Sequence, residues 1–516
     1  MPSATARKEV QVTLMAIRSS ELSLCDRDRV EDRAESDRDE PRIALPRAPQ
    51  RQAPLFCRSS DSIFLAIERC IDNAAEACLV VDDEQHLLGS ISLTQMRQAI
   101  LDGSAIDHPM LDRHLCITAT PSSGVADAAA GDRLIPIFDY QGRVFDVLID
   151  RSMNPVQVAR PSLSHRELRW LLDAFLSSWI SGKGPHLRAF ELEFASWLGV
   201  KHGIAVANGT VALHLALTSL GIGPGDEVIV PDLTFAATIN AVLYCGATPV
   251  IVDIDPVTWT MSAEGVRAAL SPRTRAVIPV HLYGRPAEIG PIAALAAAHG
   301  IFVVEDCAEA HGARYAGRLV GKFGDIACFS FHANKIVATG EGGMCLLDSD
   351  AVAARAAMLR DHGMPPDRIY WHEQVGFNYR LPNLQAAIGL AQLATADATT
   401  QRNRDLEAAY REALRGIAGV SFPPPLVAEY ETVVWLVCVT VPAAKRAALI
   451  EAAKRADIEL RPFFFPLSAM PLYAGFAQAC RHSAELSRAG LNLPTSTAVD
   501  SEVIARLAEI FRRVLD

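Results

Sequence analysis

The chain has 516 residues, of which 50% are hydrophobic and 21% charged, the composition of an ordinary globular protein with two or three domains. Its formal net charge of −11 argues against a nucleic-acid-binding surface, although a local cation or a helix N-terminus could still bind phosphate. The eleven cysteines follow no metal-ligand spacing, and no apolar stretch reaches the ~20 residues of a membrane span. Without the apolar core of a signal peptide, the expected location is the cytoplasm.

Residues 1–55 alternate acidic and basic side chains, as in Glu35–Glu40, and contain few apolar residues. Such a segment cannot bury enough apolar surface to fold by itself. We therefore predict a disordered tail, with a docking arm as the alternative interpretation.

Residues 56–155 repeat one local pattern, an apolar strand, an aspartate, a turn and a second apolar strand. The pattern recurs with a period of about 57 residues, and a helix is expected before each strand pair, over 61–69 and 125–130. The region resembles a pair of CBS modules, which implies a regulatory module that binds an adenine nucleotide. The aspartate that often holds the ribose in such modules has no counterpart in 92–97, so a purely structural or dimerising module is the alternative.

From 159 to 395, short apolar runs alternate with helical segments. Strands are predicted at 203–207, 227–231, 248–253, 275–280 and 301–305. Strands separated by helices favour a mostly parallel sheet covered on both faces, with ligands at the carboxyl ends of its strands. Residues 396–516 are predicted to form a smaller α+β domain, with helices over 403–414, 444–456 and 501–515.

Two residues of the large domain indicate a covalently held cofactor. Asp306 ends an apolar run, where an unpaired buried carboxylate would be costly, and Lys335 precedes the Gly-rich turn 339–343. A lysine can hold an aldehyde as a Schiff base, and an aspartate can keep a pyridine nitrogen protonated. Together they indicate pyridoxal 5′-phosphate (PLP). Taken alone, Asp306 could also cap the next helix.

The phosphate and the ring of such a cofactor each need a partner. Gly209 and Thr210 lie where a strand meets a helix, so free N–H groups and a hydroxyl could bind phosphate, although an ordinary N-cap would look the same. Ser330 is a better phosphate candidate than the other nearby hydroxyl, Thr339. Phe235 follows another strand and could stack on the ring, or could belong to the core.

From about 160 to 510 the sequence resembles the DegT/DnrJ/EryC1/StrS family of PLP-dependent sugar aminotransferases. The matching stretches are 207–213, 230–235, 305–312, 330–343, 376–380 and 385–387. The resemblance implies the type I (aspartate aminotransferase) α/β fold, with a mostly parallel seven-stranded sheet and a small C-terminal α+β domain. It implies that Lys335 is the catalytic Schiff-base lysine and that no metal takes part. The cofactor-binding residues that it implies are Gly209, Thr210, Phe235, Asp306, Glu309, Ser330 and Asn378.

The resemblance also implies assembly and substrate. Asn378 would reach the phosphate of a partner subunit, so a homodimer is expected. Glu309, where many members have glutamine, and the segments 179–181, 362–364 and 370–372 are similar to perosamine synthases. This subgroup transfers the amino group of L-glutamate to GDP-4-keto-6-deoxymannose. Ser468 stands where relatives often have histidine, which weakens the assignment of this loop to the sugar pocket.

Two alternatives stay open at this point, a 3-keto sugar-nucleotide aminotransferase and a nucleotide-responsive regulatory protein with a vestigial PLP domain. The intact pair of Lys335 and Asp306 argues against a vestigial domain. Lys335 also argues against a PLP-dependent sugar dehydratase, because that branch replaces the lysine with histidine.

Overall fold

The computed structural model describes residues 56–58, 61–72, 75, 77–85, 87–93, 95–97, 126–127, 133–138 and 144–150, and residues 156–516 except 366, 369, 477 and 478. The predicted tail over 1–55 lies outside the described residues. Among the described residues, no helix combines the length and the apolar character that crossing a bilayer requires.

The strands β1–β19 are, in chain order, Phe56–Arg58, Ala77–Val81, Leu87–Ser92, Ala126–Asp127, Arg133–Phe138, Val144–Asp150, His202–Val206, Glu227–Pro231, Thr248–Val252, Thr274–Val277, Phe302–Asp306, Arg314–Tyr315, Arg318–Leu319, Ile326–Ser330, Gly343–Leu347, Tyr430–Glu431, Val437–Thr440, Arg461–Pro462 and Gly490–Leu493. The α-helices α1–α13 are Ile63–Asp72, His165–Leu176, Pro185–Leu198, Gly209–Ser219, Ala237–Tyr244, Ala263–Ala269, Ile289–His299, Asp350–Arg360, Asn383–Leu393, Ala396–Ala413, Ala443–Lys454, Arg481–Ala489 and Ser501–Leu515. Short 3₁₀ turns occupy Leu282–Gly284, Leu467–Ala469 and Pro471–Phe476.

A seven-stranded sheet in the order β7-β15-β14-β11-β10-β8-β9 is built from strands between His202 and Leu347. β15 runs antiparallel to both neighbours, and the other adjacent pairs are parallel, which confirms the predicted mostly parallel sheet. Both faces are covered, because successive side chains of a strand point to opposite sides. In β8, Ile229 packs into one apolar cluster, whereas Val228 and Val230 pack into the other.

The C-terminal part contains a smaller antiparallel sheet, β17-β19-β18. Helices α10, α11 and α13 pack around it, with Tyr410, Leu449 and Phe511 fully buried in one cluster. Helix α10 begins at Ala396, seven residues before the predicted start at 403, and α11 and α13 lie close to their predicted positions.

The N-terminal part contains the two predicted strand pairs, which form the three-stranded sheets β1-β2-β3 and β4-β5-β6. The register of each pair shifts once, between Val80 and Val81 and between Ile137 and Phe138, and these bulges lie about 57 residues apart, the predicted period. The helix expected over 125–130 is wrong at Ala126–Asp127, which pair with β5, because strand pairing overrides a weak local propensity. The assignment to CBS modules stays a prediction.

Candidate active site

The predicted phosphate loop forms where β7 leads into α4. Asn208 caps the helix by accepting the N–H of Val211 at 3.0 Å, so the cap leaves the amides of Gly209 and Thr210 available to an anion. Ser330, the last residue of β14, lies against this loop, since a Cβ at Gly209 would be 2.8 Å from the Ser330 Cβ. The structure therefore brings Gly209, Thr210 and Ser330 together at the carboxyl edge of the sheet.

A glycine at the start of β15 allows this close packing. Gly343 pairs with Ser330 on one side and with Val206 on the other, and a Cβ there would lie 2.5 Å from the carbonyl oxygen of Asn208. Thr339 does not join the phosphate loop, because its hydroxyl donates to a carbonyl two residues later at 2.6 Å. Of these two hydroxyls, that of Ser330 lies beside the loop. Its binding of a phosphate stays a prediction.

Asp306 ends β11 and is buried. Its Oδ2 accepts a hydrogen bond from the Thr238 hydroxyl at 2.9 Å, and its Oδ1 accepts the N–H of Ala308 at 3.2 Å. Burial raises the pKa of Asp306, and these two bonds and the charge of Lys335 oppose the rise. Its direct partners are a hydroxyl and an amide rather than a cation, so the carboxylate suits a protonated ring nitrogen.

Lys335 lies beside Glu309, with 3.7 Å between Nζ and Oε1, and the two side chains are only 10% and 6% exposed. Burial lowers the pKa of Lys335, and the carboxylates of Glu309 and Asp306 oppose this. Burial raises the pKa of Glu309 to about 7, although Lys335 and the N–H of Tyr283, which donates to Oε2 at 2.9 Å, lower it. Glu309 can therefore gain or lose a proton near neutral pH beside the amino group of Lys335.

Phe235 is 60% exposed, so it is not a core residue. Its ring packs at 5.8 Å on that of Phe464, which in turn stacks on Tyr283 at 5.4 Å with an interplanar angle of 17°. The face of an exposed aromatic ring beside the sheet edge is available to a planar ligand.

Asn378 is exposed, and its Oδ1 accepts a hydrogen bond from Arg380 at 3.0 Å. Arg380 also forms an ion pair with Asp361 at 2.8 Å. Within the described single chain these partners, and not the phosphate loop, hold Asn378. Its action on a partner subunit stays a prediction.

Sequence reasoning missed a buried pair directly beside Asp306. Glu305 accepts three backbone N–H groups of the loop 321–324, each at 2.7 Å, and the Nε2 of His281 lies 3.1 Å away. The other nitrogen of His281 accepts the N–H of Ala287 at 3.0 Å, so Nε2 carries the proton and donates it to Glu305. These hydrogen bonds lower the pKa of Glu305 despite full burial.

Sequence reasoning also missed Trp435 and His311. The centroid of the Trp435 ring lies 3.8 Å from Nζ of Lys335. His311 lies among Phe194, Phe329 and Phe331; neither ring nitrogen has a hydrogen-bond partner in the described part of the chain, and burial lowers its pKa to about 3. No sequence pattern could have indicated Trp435, because it is 100 residues from Lys335 in sequence. His311 could have been identified as a candidate, because it is only five residues from Asp306.

This set of residues fits PLP. Gly209 and Ser330 form a cradle in which a Cβ would clash, Asp306 is a buried carboxylate without a direct cation, and Lys335 is a buried amine with a lowered pKa. A neutral amine can attack an aldehyde, and an anion-binding helix N-terminus can take a phosphate.

A comparison with known families agrees with this geometry. The profile of the DegT/DnrJ/EryC1/StrS aminotransferase family matches residues 161–512. The chain belongs to this family. Like other members, it is an enzyme, a PLP-dependent aminotransferase.

Individual relatives make the match more specific. The chain is 43% identical over 364 residues to GDP-perosamine synthase of Caulobacter vibrioides, an alignment that covers 70% of this chain and 98% of the relative. It is 41% identical to UDP-N-acetyl-3-dehydro-alpha-D-glucosamine 3-aminotransferase of Acidithiobacillus ferrooxidans, over 64% of this chain and 89% of the relative. The crystal structure of the aminotransferase TlmJ from Streptoalloteichus hindustanus has a TM-score of 0.67 and 31% identity, over 70% of this chain and 98% of TlmJ. These likenesses confirm the predicted fold.

Proposed function

We propose that this aminotransferase moves the amino group of L-glutamate to a nucleotide-linked 4-keto-6-deoxy sugar, with GDP-4-keto-6-deoxymannose as the substrate. The product would be a 4-amino sugar nucleotide for polysaccharide or glycan synthesis. One observation carries the proposal: the 43% identity extends over 98% of a GDP-perosamine synthase. The carboxylate of Glu309, 3.7 Å from Lys335, supports it, because glutamate at this position is one of the features in which the sequence is similar to that subgroup.

The residues of the site have separate tasks in this proposal. When bound, PLP supplies an electron sink for negative charge that develops at the substrate carbon. Gly209, Thr210 and Ser330 would hold its phosphate, Phe235 would lie against its ring, and Asp306 would keep its ring nitrogen protonated.

Lys335 would anchor the aldehyde and move protons. Its Nζ would accept the proton of the donor's α-carbon and later return a proton to the product. Glu309, whose pKa is about 7, can take either protonation state near neutral pH, so the Lys335–Glu309 pair can hold one proton or two. The pair is buried, which keeps water away from these transfers.

A 3-keto sugar nucleotide is the alternative acceptor, since the 3-aminotransferase of A. ferrooxidans is 41% identical over 336 residues. Ser468 supports neither acceptor. Its backbone N–H donates to Asp232 Oδ1 at 2.7 Å and its hydroxyl donates to Oδ2 at 3.0 Å, so both groups are already hydrogen-bonded within the protein.

A panel assay tests the acceptor. The purified enzyme, PLP and L-glutamate are incubated with GDP-4-keto-6-deoxymannose or with 3-keto and 4-keto sugars on UDP and TDP, and the products are identified by mass. We expect the aminated GDP sugar and 2-oxoglutarate in equal amounts, and neither with Lys335→Ala. Faster amination of a 3-keto sugar would replace the proposed substrate with the alternative.

We further propose that the enzyme works as a homodimer in which Asn378 contacts the phosphate held by the other subunit. The support is a group of exposed apolar side chains around the end of α2, since a monomer rarely exposes such a patch: Phe175, Leu176, Trp179 and Ile180. Light scattering should give twice the chain mass of 55.8 kDa. A monomeric, fully active enzyme would contradict both parts of this proposal.

We propose the division into a tail over 1–55, a CBS-pair-like module over 56–155, a large domain over 159–395 and a small domain over 396–516. The paired hairpins of the N-terminal module support it. Calorimetric titration with ATP, ADP and AMP, followed in parallel by the rate of transamination, tests whether the module is a nucleotide sensor. No heat of binding would leave the structural or dimerising role.

A further inference from the structure

The amino group of Lys335 has two neighbours of different chemistry. One is the carboxylate of Glu309 at 3.7 Å, and the other is the face of Trp435, whose centroid lies 3.8 Å from Nζ. An ammonium over an indole face is attracted by the negative face of the π-system, and the attraction strengthens where water is excluded. Here Trp435 is 4% exposed and Lys335 is 10% exposed, so little water screens the contact.

The indole is fixed in this position from three sides. Its Nε1–H donates to the carbonyl oxygen of Asn334, the residue before Lys335, at 2.6 Å. Its ring stacks on that of Tyr283 at 6.1 Å with an interplanar angle of 14°. Its own backbone segment is tied down, because the N–H of Val433 donates to Gly284 at 3.0 Å and the carbonyl of Val434 accepts from Asn403 at 2.8 Å.

Tyr283 joins the two neighbours of the lysine into one assembly. Its N–H donates to Glu309, and its ring stacks on Trp435. The acid and the aromatic face are therefore held by the same residue, which adopts a left-handed backbone conformation with φ of 52°. A strained non-glycine residue persists only where its surroundings require it, and here it aims two groups at one amine.

We infer that Trp435 is a positioning residue of this site. It holds the free amino group of Lys335 against its indole face whenever that group is not bonded to the cofactor. The inference rests on the proposed role of Lys335. In this role Trp435 stabilises the ammonium form of Lys335 and keeps the lysine side chain in one rotamer between the indole and Glu309. The amine is then in place each time it must accept or return a proton.

The expected consequence is a change in the basicity of Lys335. The charged groups that face Nζ are the carboxylates of Glu309 and Asp306 and, at longer range, the guanidinium of Arg461, whereas His311 is neutral above pH 3. Burial already lowers the pKa of Lys335. In the proposed arrangement the indole face opposes this lowering, because it attracts the ammonium form. Removing the face should therefore lower this pKa further, by about half a unit to one unit.

The experiment measures that basicity without turnover. The full-length enzyme, freed of cofactor, is treated with a trace of acetic anhydride at a series of pH values, and the acetylation of Lys335 is followed by peptide mass spectrometry. Trp435→Leu removes both the indole N–H and the aromatic face, whereas Trp435→Phe removes the N–H and keeps a weaker face. Trp197→Leu is the matched control, because Trp197 packs on Phe194 and Phe329 and not on Lys335.

We expect the labelling midpoint to fall by about half a unit to one unit in Trp435→Leu, by less in Trp435→Phe, and not at all in Trp197→Leu. An unchanged midpoint in Trp435→Leu would overturn the inference. If that variant does not fold, Trp435→Phe decides in the same way, with an unchanged midpoint as the negative result. Borohydride trapping of the cofactor-loaded wild type distinguishes a failure of this inference from a failure of the proposed role of Lys335. Label on another lysine would refute the role of Lys335 itself. Label on Lys335, together with an unchanged labelling midpoint in Trp435→Leu, would refute only the role of Trp435.

Discussion

Two buried glutamates, Glu305 and Glu309, lie four positions apart and have opposite properties. Glu305 is surrounded by three backbone N–H groups and by His281, and its pKa is lowered. Glu309 receives one backbone N–H and lies 3.7 Å from Lys335, and its pKa is raised to about 7. Burial is nearly the same in both.

The difference lies in the number of donors. A carboxylate that accepts several N–H groups is fixed as an anion and serves the structure, here by attaching the loop 321–324 to β11. A buried carboxylate with fewer donors, such as Glu309, has a raised pKa and can take part in proton transfer. Residue type and burial alone would not have separated the two.

The contrast between Glu305 and Glu309 has a catalytic meaning only if Lys335, the neighbour of Glu309, is the reactive amine. Lys335→Ala should reduce transamination by at least about 10³-fold, because both the anchoring amine and the proton carrier are lost. Absorbance of the bound cofactor and borohydride labelling with peptide mass spectrometry check this directly. The control is Lys201→Ala, since Lys201 is exposed and pairs with Asp350 at 3.7 Å. Normal turnover in Lys335→Ala would refute the assignment.

A similar contrast is expected for two aspartates at the carboxyl ends of strands of the sheet, Asp306 at the end of β11 and Asp232 directly after β8. Asp306→Asn should lower kcat by roughly 10²–10³-fold with little loss of stability, because it removes the charge intended for the ring nitrogen. Asp232→Asn should instead destabilise the fold and spare kcat, because Asp232 is fully buried and is held by Ser468. Steady-state kinetics and thermal unfolding of both variants separate the two outcomes, and equal kinetic effects would show that the contrast is wrong.

The glutamates themselves should differ in stability. Glu305→Gln replaces one acceptor oxygen with a donor that faces backbone N–H groups, so we expect a loss of roughly 3 kcal/mol in the free energy of unfolding. Glu309→Gln keeps an acceptor for the N–H of Tyr283 and should cost little or nothing. Chemical denaturation of both variants measures this, and similar losses would contradict the comparison.

The smallest expected effect is a difference in pH dependence. Because the pKa of Glu309 is raised, the folded protein keeps this proton between pH 4.5 and about 7, whereas the unfolded chain has lost it. The contribution of Glu309 to the free energy of unfolding is therefore fully present below pH 4.5 and is lost as the pH rises through about 7. The lowered pKa of Glu305 has the opposite effect on stability. Its contribution to the free energy of unfolding is present above pH 4.5, the ordinary pKa of a glutamate, and is lost only as the pH falls below that value.

Thermal unfolding of the cofactor-free enzyme between pH 5 and 8 measures the pH-dependent contribution of Glu309 to stability. The midpoint of the wild type relative to Glu309→Gln should fall by about 2 °C across that range, as expected for a protein of this size. Parallel curves for the two proteins would mean that Glu309 does not titrate there.

The sequence predicted those parts of the molecule that depend on local pattern. Apolar runs predicted five of the seven strands of the central sheet to within a few residues, but not β14 and β15. Gly209, Ser330, Asp306 and Lys335 lie at or after the carboxyl ends of strands that share one edge. It could not predict which distant segments return to that edge. Trp435 and the loop 321–324 reach their partners only through the packed fold, and no spacing in the sequence records this.

Short helical signals were the least reliable. The region 125–130 has a helical composition, yet Ala126–Asp127 pair as a strand. Helix α10 extends to Ala396 because Ala396 and Thr400 are buried by packing, although threonine is a poor helix former. Both errors concern residues whose conformation is decided by contacts outside the local helical pattern, with a paired strand in the first case and with the packed core in the second.

The attachment of Ser468 to Asp232 has a consequence for engineering. The segment that contains Phe464 and Phe465 is attached to the sheet by hydrogen bonds to Asp232. Asp232 accepts the backbone N–H groups of Leu467 and Ser468 and the hydroxyl of Ser468. Libraries that aim at new acceptor sugars can randomise positions 464 and 465 while this anchor stays constant. Transplanting the whole segment from a relative with histidine at 468 would remove the hydroxyl, and such a graft should also exchange residue 232.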